Sequence, residues 1–202
     1  MRFSSFWWSC CLLAMLASIG CGREASVPTS STERITPEEL TDAEQQMLDR
    51  ANEARQSLAT NLKAKLVETL SSEGPAAAIA VCSEAAPEIA ATAGSDHQVR
   101  IGRTSHLLRN PSNAPPEWAE SYVDAQTPEQ VLLRQAYGLR VLQPIRLETA
   151  CLLCHGDPAK IAPEVTAALA SRYPQDQARG FSEGDLRGWF WVEVDADNSA
   201  AN

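Results

Sequence analysis

The sequence predicts an α+β domain built around an antiparallel sheet, and three observations carry that expectation. Apolar residues recur at helical spacing over a long stretch after Pro37. Later runs, above all Tyr137 to Leu147 and Asp185 to Val194, alternate at strand spacing. The helical and strand-like segments do not alternate regularly, so hairpin-linked strands flanked by helices fit better than a parallel β-α-β sheet.

The chain opens with one charge, Arg2, followed by an almost wholly apolar or small run from Phe3 to Gly20. Residues 1–21 read as a secretory signal. Gly20-Cys21 fits a lipoprotein cleavage site, with Ser18 standing where leucine is more typical, so Cys21 is the expected lipidation site. The run is also about long enough to span a bilayer, which leaves an uncleaved anchor helix as the alternative. Either route puts the mature domain on the periplasmic side of a bacterial membrane, lipid-anchored or soluble after cleavage. Residues 22–36 are polar and rich in Ser and Thr, a flexible linker. Residues 37–195 form the domain, and 196–202 a disordered tail. The net charge of −9 comes without any Lys/Arg cluster and excludes a nucleic-acid surface.

Within the domain, Thr36-Pro37-Glu38-Glu39 is a helix start: a capping hydroxyl, a first-turn proline and acids. Leu40, Ala43, Met47, Ala51, Ala54, Leu58, Leu62, Leu66 and Leu70 trace one face of a helix to about Ser71. An alanine-rich helix follows from Pro75, and Pro87 is expected to end or kink it. Gln98 to Thr104 reads as a short strand, Asn110 to Pro116 as a loop, and Pro116 to Ala125 as helical. Gln130 to Gln135 is expected to form a further helical turn, and Ala162 to Arg172 a short helix. Gly188-Trp189-Phe190-Trp191-Val192 is the most strand-like run, and its aromatics read first as sheet packing.

Cys151-Leu152-Leu153-Cys154-His155 is the C-x-x-C-H pattern of covalent haem attachment. Two thiols at this spacing each reach one porphyrin vinyl group, and the adjoining histidine reaches the iron. Three other uses of the cysteines stand beside it. A zinc site needs further ligands from Cys82, His97 or His106; a redox dithiol leaves His155 surplus; a disulfide is the structural alternative. Export favours a single covalent haem c.

The second axial ligand is open from the residues alone. Cys10 and Cys11 lie in the signal, Cys21 at its end, and Cys151 and Cys154 in the motif, so Cys82 is left unpaired. Burial and iron ligation are equally good uses for it. His106, His97 and Met47 are the rivals: Met47 fits the apolar helix face, His97 a polar turn, and His106 either the iron or a haem propionate.

Further segments resemble one family. They are Ala78 to Ala90, Gly102-Arg103-Thr104-Ser105, Arg109 to Asn113, Tyr137-Gly138, Pro144-Ile145, Cys151 to Pro158, Tyr173 to Ala178 and Gly180 to Gly188. Together they resemble the Tll0287-like family of mono-haem c-type proteins. The resemblance implies a PAS-like α+β fold, an antiparallel sheet flanked by helices with a long N-terminal helix. It implies axial ligation by His155 and by Cys82. Arg103 and Arg109 then become candidates for the haem propionates, with salt bridges or loop pinning as their other reading. His106 departs from the pattern, where an aliphatic residue or lysine is expected, and keeps a His/His arrangement open.

Thiolate ligation lowers a haem potential, and two protein ligands leave no open site for a substrate. The leading expectation is therefore a redox or small-gas-ligand sensor module acting through a partner protein. A membrane-tethered electron-transfer cytochrome is the alternative. A haem enzyme such as a peroxidase is third, since it needs an open distal side with an acid–base residue, for which His106 is the one candidate.

Overall fold

The computed structural model describes residues 32–196. The signal, Cys21 and the tail from residue 197 lie outside the described residues. Five antiparallel strands form one open sheet in the order β1-β3-β4-β5-β2, flanked by helices, as the α+β reading requires.

Strand β1 (Glu33–Ile35) falls in the stretch read as linker, yet it pairs with β3 (Val131–Gln135) at the sheet edge. The sheet thus includes residues that precede Pro37. Thr36 to Glu39 forms only a short 3-10 turn, and Leu40 is extended. The long helix α1 (Asp42–Ser72) starts at a second capping box. There the Glu44 backbone N–H donates to Thr41 Oγ1 at 3.3 Å, and the Thr41 N–H donates to the Glu44 carboxylate at 2.9 Å.

Helix α2 spans Pro75–His97 without stopping at Pro87. Instead Val81–Ala85 widens into a π turn, with the Ala86 N–H bonded to the Val81 carbonyl. A proline ring clashes with the carbonyl four residues back, here Ser83, and a widened turn moves that carbonyl aside. Cys82 sits inside the π turn.

Strand β2 (Arg100–Thr104) pairs with β5 (Leu186–Asp195), and β5 pairs with β4 (Gly138–Arg146). The segment Gln130 to Gln135 is β3, not a helical turn. Val131, Leu132 and Leu133 are all buried because both sheet faces are covered, which erases the alternation that marks a strand. Pro144 is accommodated because β3 reaches only Leu142, so no strand needs an N–H from Pro144 on that side.

One sheet face carries Ile101, Leu132, Leu139, Val141, Phe190, Val192 and Val194 against Leu48, Ala51, Ala54 and Leu58 of α1. The other carries Val131, Leu133, Leu142 and Trp189 under Ala119 and Val123, the latter from α3 (Glu120–Asp124). Trp189 and Phe190 thus fill opposite cores, as the packing reading of the aromatic run expects. A third cluster lies apart from the sheet: Ile79 of α2 meets Val165 and Leu169 of α5 (Pro163–Arg172), with Ile161 and Tyr173. Cys154 packs on this cluster, which brings the motif beside α2.

Candidate functional site

After β4 the chain makes a 3-10 turn, Thr149–Cys151, and the one-turn helix α4 (Leu152–His155). Cys151 and Cys154 therefore stand one helical turn apart, on one side, with His155 following. Cys82, Cys151 and Cys154 are all free thiols. Among the described residues no three His, Cys, Asp or Glu side chains converge as a metal centre, so the zinc reading finds no closing ligands.

A loop from Tyr173 to Phe181 clasps the motif. The Gly180 and Phe181 N–H groups donate to the Gly156 and His155 carbonyls at 2.8 and 3.0 Å. Asp176 accepts the Ala178 N–H at 2.9 Å and the Arg109 Nε–H at 3.1 Å, and also pairs with Arg179 at 3.2 Å. Arg109 goes on to donate through Nη2 to the Ala178 carbonyl at 3.0 Å and to the Cys154 carbonyl. Its guanidinium thereby pins the motif to the clasp through Nε and Nη2, while Nη1 faces His155.

His155 Nδ1 lies 2.8 Å from the Ala178 carbonyl and 3.3 Å from Arg187 Nε. A carbonyl only accepts and a guanidinium only donates, so the two contacts require opposite tautomers. The shorter one places the proton on Nδ1 and leaves the Nε2 lone pair free as a ligand, with Arg109 Nη1 beside it at 3.5 Å. Burial first, then the charges of Arg109, Arg187 and Arg103, push the His155 pKa down to about 2. The imidazole is neutral, the form that binds metals.

Cys82 lies close enough to this spot to act electrostatically on Arg103, Tyr173, Cys154 and Arg187. Burial raises the Cys154 thiol above its ordinary value. The rival ligands are placed differently. Met47 packs against the sheet core, and His97 faces Glu53 at 3.5 Å. His106 contacts Phe181 and Trp189 edge-on at 6.1 and 6.0 Å, and Phe181 in turn contacts His155 at 6.4 Å. One phenyl ring thus touches both imidazoles. Burial and Arg187 lower the His106 pKa, and its buried Nδ1 has no hydrogen-bond partner.

Cys82, Arg103 and Arg109 all fall in the neighbourhood of the motif. Asp176, Ala178, Phe181 and Arg187 belong to the same site and carry no local sequence cue; only the recurrence of their segments in a family pattern singled them out. The donor set (two adjacent thiols, a neutral imidazole with an exposed-lone-pair tautomer, a third thiol, and several guanidinium groups) suits a covalently held, dianionic tetrapyrrole.

A family model described as Tll0287-like matches residues 33–194. Among solved structures, the chain is similar to one titled as the crystal structure of the cyanobacterial heme-protein Tll0287, at 24% identity and a TM-score of 0.53. The alignment covers 80% of this chain and 97% of that one, and shows a shared fold. No curated protein matches.

Proposed function

The chain belongs to the Tll0287-like family, and on that premise we propose that it is an exported mono-haem c-type protein that senses redox state or a small gas ligand. Cys151 and Cys154 hold one haem c as thioethers, His155 is the proximal ligand and Cys82 the second axial ligand. Cys21 tethers the domain to the periplasmic side of the membrane. The observation that carries the reading is the His155 ring, whose Nδ1 proton is held by Ala178 at 2.8 Å so that Nε2 carries the lone pair that would bind iron. Haem bound there supplies a one-electron iron couple whose potential its axial ligands set.

Cys82 is the ligand suited to move. It rides on a π turn, where the backbone departs from the α pattern of the helix on either side. Release of Cys82 would open that side of the pocket to a small ligand such as CO or NO, while the clasp keeps His155 fixed.

The test is an optical and EPR comparison of the haem-loaded protein and its Cys82→Ala variant, ferric and dithionite-reduced. The expected result is a low-spin ferric thiolate signal that the variant lacks, with a ligand change or CO binding on reduction. An unchanged six-coordinate spectrum in the variant would remove Cys82 from the iron and favour His106 and electron transfer.

A further inference from the structure

Three guanidinium groups crowd His155, and their partners are unequal. Arg109 is held through Nε and Nη2 by Asp176, Ala178 and Cys154, with only Nη1 turned to His155. Among the described residues Arg187 reaches no carboxylate: its Nη1 donates to Ser105 Oγ at 2.6 Å and to the Leu107 carbonyl at 3.1 Å. Its Nε points at His155 Nδ1, an atom already committed to donating to Ala178. Arg103 leaves β2 on the same face as buried Ile101, the face covered by α1 and α2. It makes no hydrogen bond or ion pair among the described residues.

The sole carboxylate bonded to this cluster, Asp176, already serves Arg109 and Arg179. Two half-buried positive charges are therefore left without a carboxylate among the described residues, an arrangement that an anionic ligand would relieve. The backbone is built to hold Arg187 in place. The Ser105 hydroxyl donates to the Arg187 carbonyl at 2.6 Å and accepts from the side chain of the same residue. Next to it, β5 presses on the end of β2 at Gly188 (φ +158°), where a Cβ would lie 2.1 Å from the Thr104 carbonyl. Phe181 supports the guanidinium at 5.7 Å.

We propose that Arg103 and Arg187 form a clamp for the two propionates of the bound tetrapyrrole, and that Arg109 is a strut of the clasp rather than a ligand contact. This rests on the haem reading above. It adds Arg187, which no sequence motif singles out, and withdraws Arg109 from ligand contact.

The test uses full-length apoprotein, made without haem-attachment machinery, titrated with haem and with haem dimethyl ester. The ester keeps both vinyl groups but carries no propionate charge. Wild type should prefer the free acid by about tenfold to a hundredfold, the worth of one or two charge-assisted contacts. Arg103→Gln and Arg187→Gln should each remove most of that preference. Arg103→Gln should also leave the melting temperature of the apoprotein unchanged or raise it, because it deletes a half-buried charge that has no carboxylate partner; an arginine kept for packing would lower it. Equal binding of acid and ester by wild type, or a preference that survives both substitutions, would overturn the clamp and leave the haem reading intact. Binding of neither probe would overturn both.

Discussion

Two arginine–carboxylate pairs join separate parts of this fold, with the same chemistry and different surroundings. Arg134 of β3 grips Glu44 in the first turn of α1, at the rim, where the side chains are 32% and 13% exposed. Arg109 grips Asp176 beneath the motif, at 6% and 2% exposed. At the rim, water shares each charge and softens the loss of either partner. In the clasp there is no water to substitute, and the same carboxylate also holds the Ala178 N–H whose carbonyl orients His155. The rim pair fastens a helix to a sheet, whereas the clasp pair sets the direction of a ligand atom.

The largest effect expected from this contrast is that of Asp176→Ala. Removing one partner of a buried ion pair leaves the other charge enclosed, at a cost of about 3–5 kcal/mol. Urea denaturation should show that loss in the apoprotein, and haem content per chain should fall with it. Asp176→Leu combined with Arg109→Met should recover most of the stability, since a well-packed apolar pair often equals a buried ionic one. It should not recover haem content, because His155 would still lack its orienting loop. Full recovery of both would mean that the clasp is structural only.

The sequence was legible where the signal is local. The periodicity of α1, the alternation of β4 and the aromatic run of β5 each report their own burial. The C-x-x-C-H spacing reports a chemistry that needs only five consecutive residues. It failed where a partner decides. Val131 to Leu133 lost their alternation because both faces of β3 are covered, and β1 is a strand only because β3 lies beside it. Thr36 and Thr41 offer near-identical helix starts, and the extended Leu40 between them makes the second the true one. Pro87 was visible as a disturbance, but a π turn rather than a break was not. In the site, Ser105 and Arg187 meet across 82 positions of chain, so no window of sequence could pair them. Arg109 was seen with two possible roles, and its pairing with Asp176, 67 positions on, lay outside any local window.

The smallest effect belongs to the rim, and pH resolves it. The Arg134 guanidinium, bonded to Glu44, holds that carboxyl down at about 2, against an ordinary value of 4.5. A carboxylate depressed by folding adds stability above its unfolded pKa and loses it as pH falls toward the folded one. The full effect is therefore present at neutral pH, shrinks below about 4.5 and is gone near 2. Because the pair borders solvent, Glu44→Gln should cost only about 1 kcal/mol at neutral pH. The stability gap between wild type and variant, measured by denaturation from pH 7 down to pH 3, should narrow as pH falls. Added salt should shrink it at pH 7, as screening does for exposed charges. The haem spectrum should be unchanged throughout, because Glu44 touches nothing in the clasp. A gap of 3 kcal/mol or more that is insensitive to salt would put this rim pair in the same class as Asp176 and Arg109 and dissolve the contrast between them.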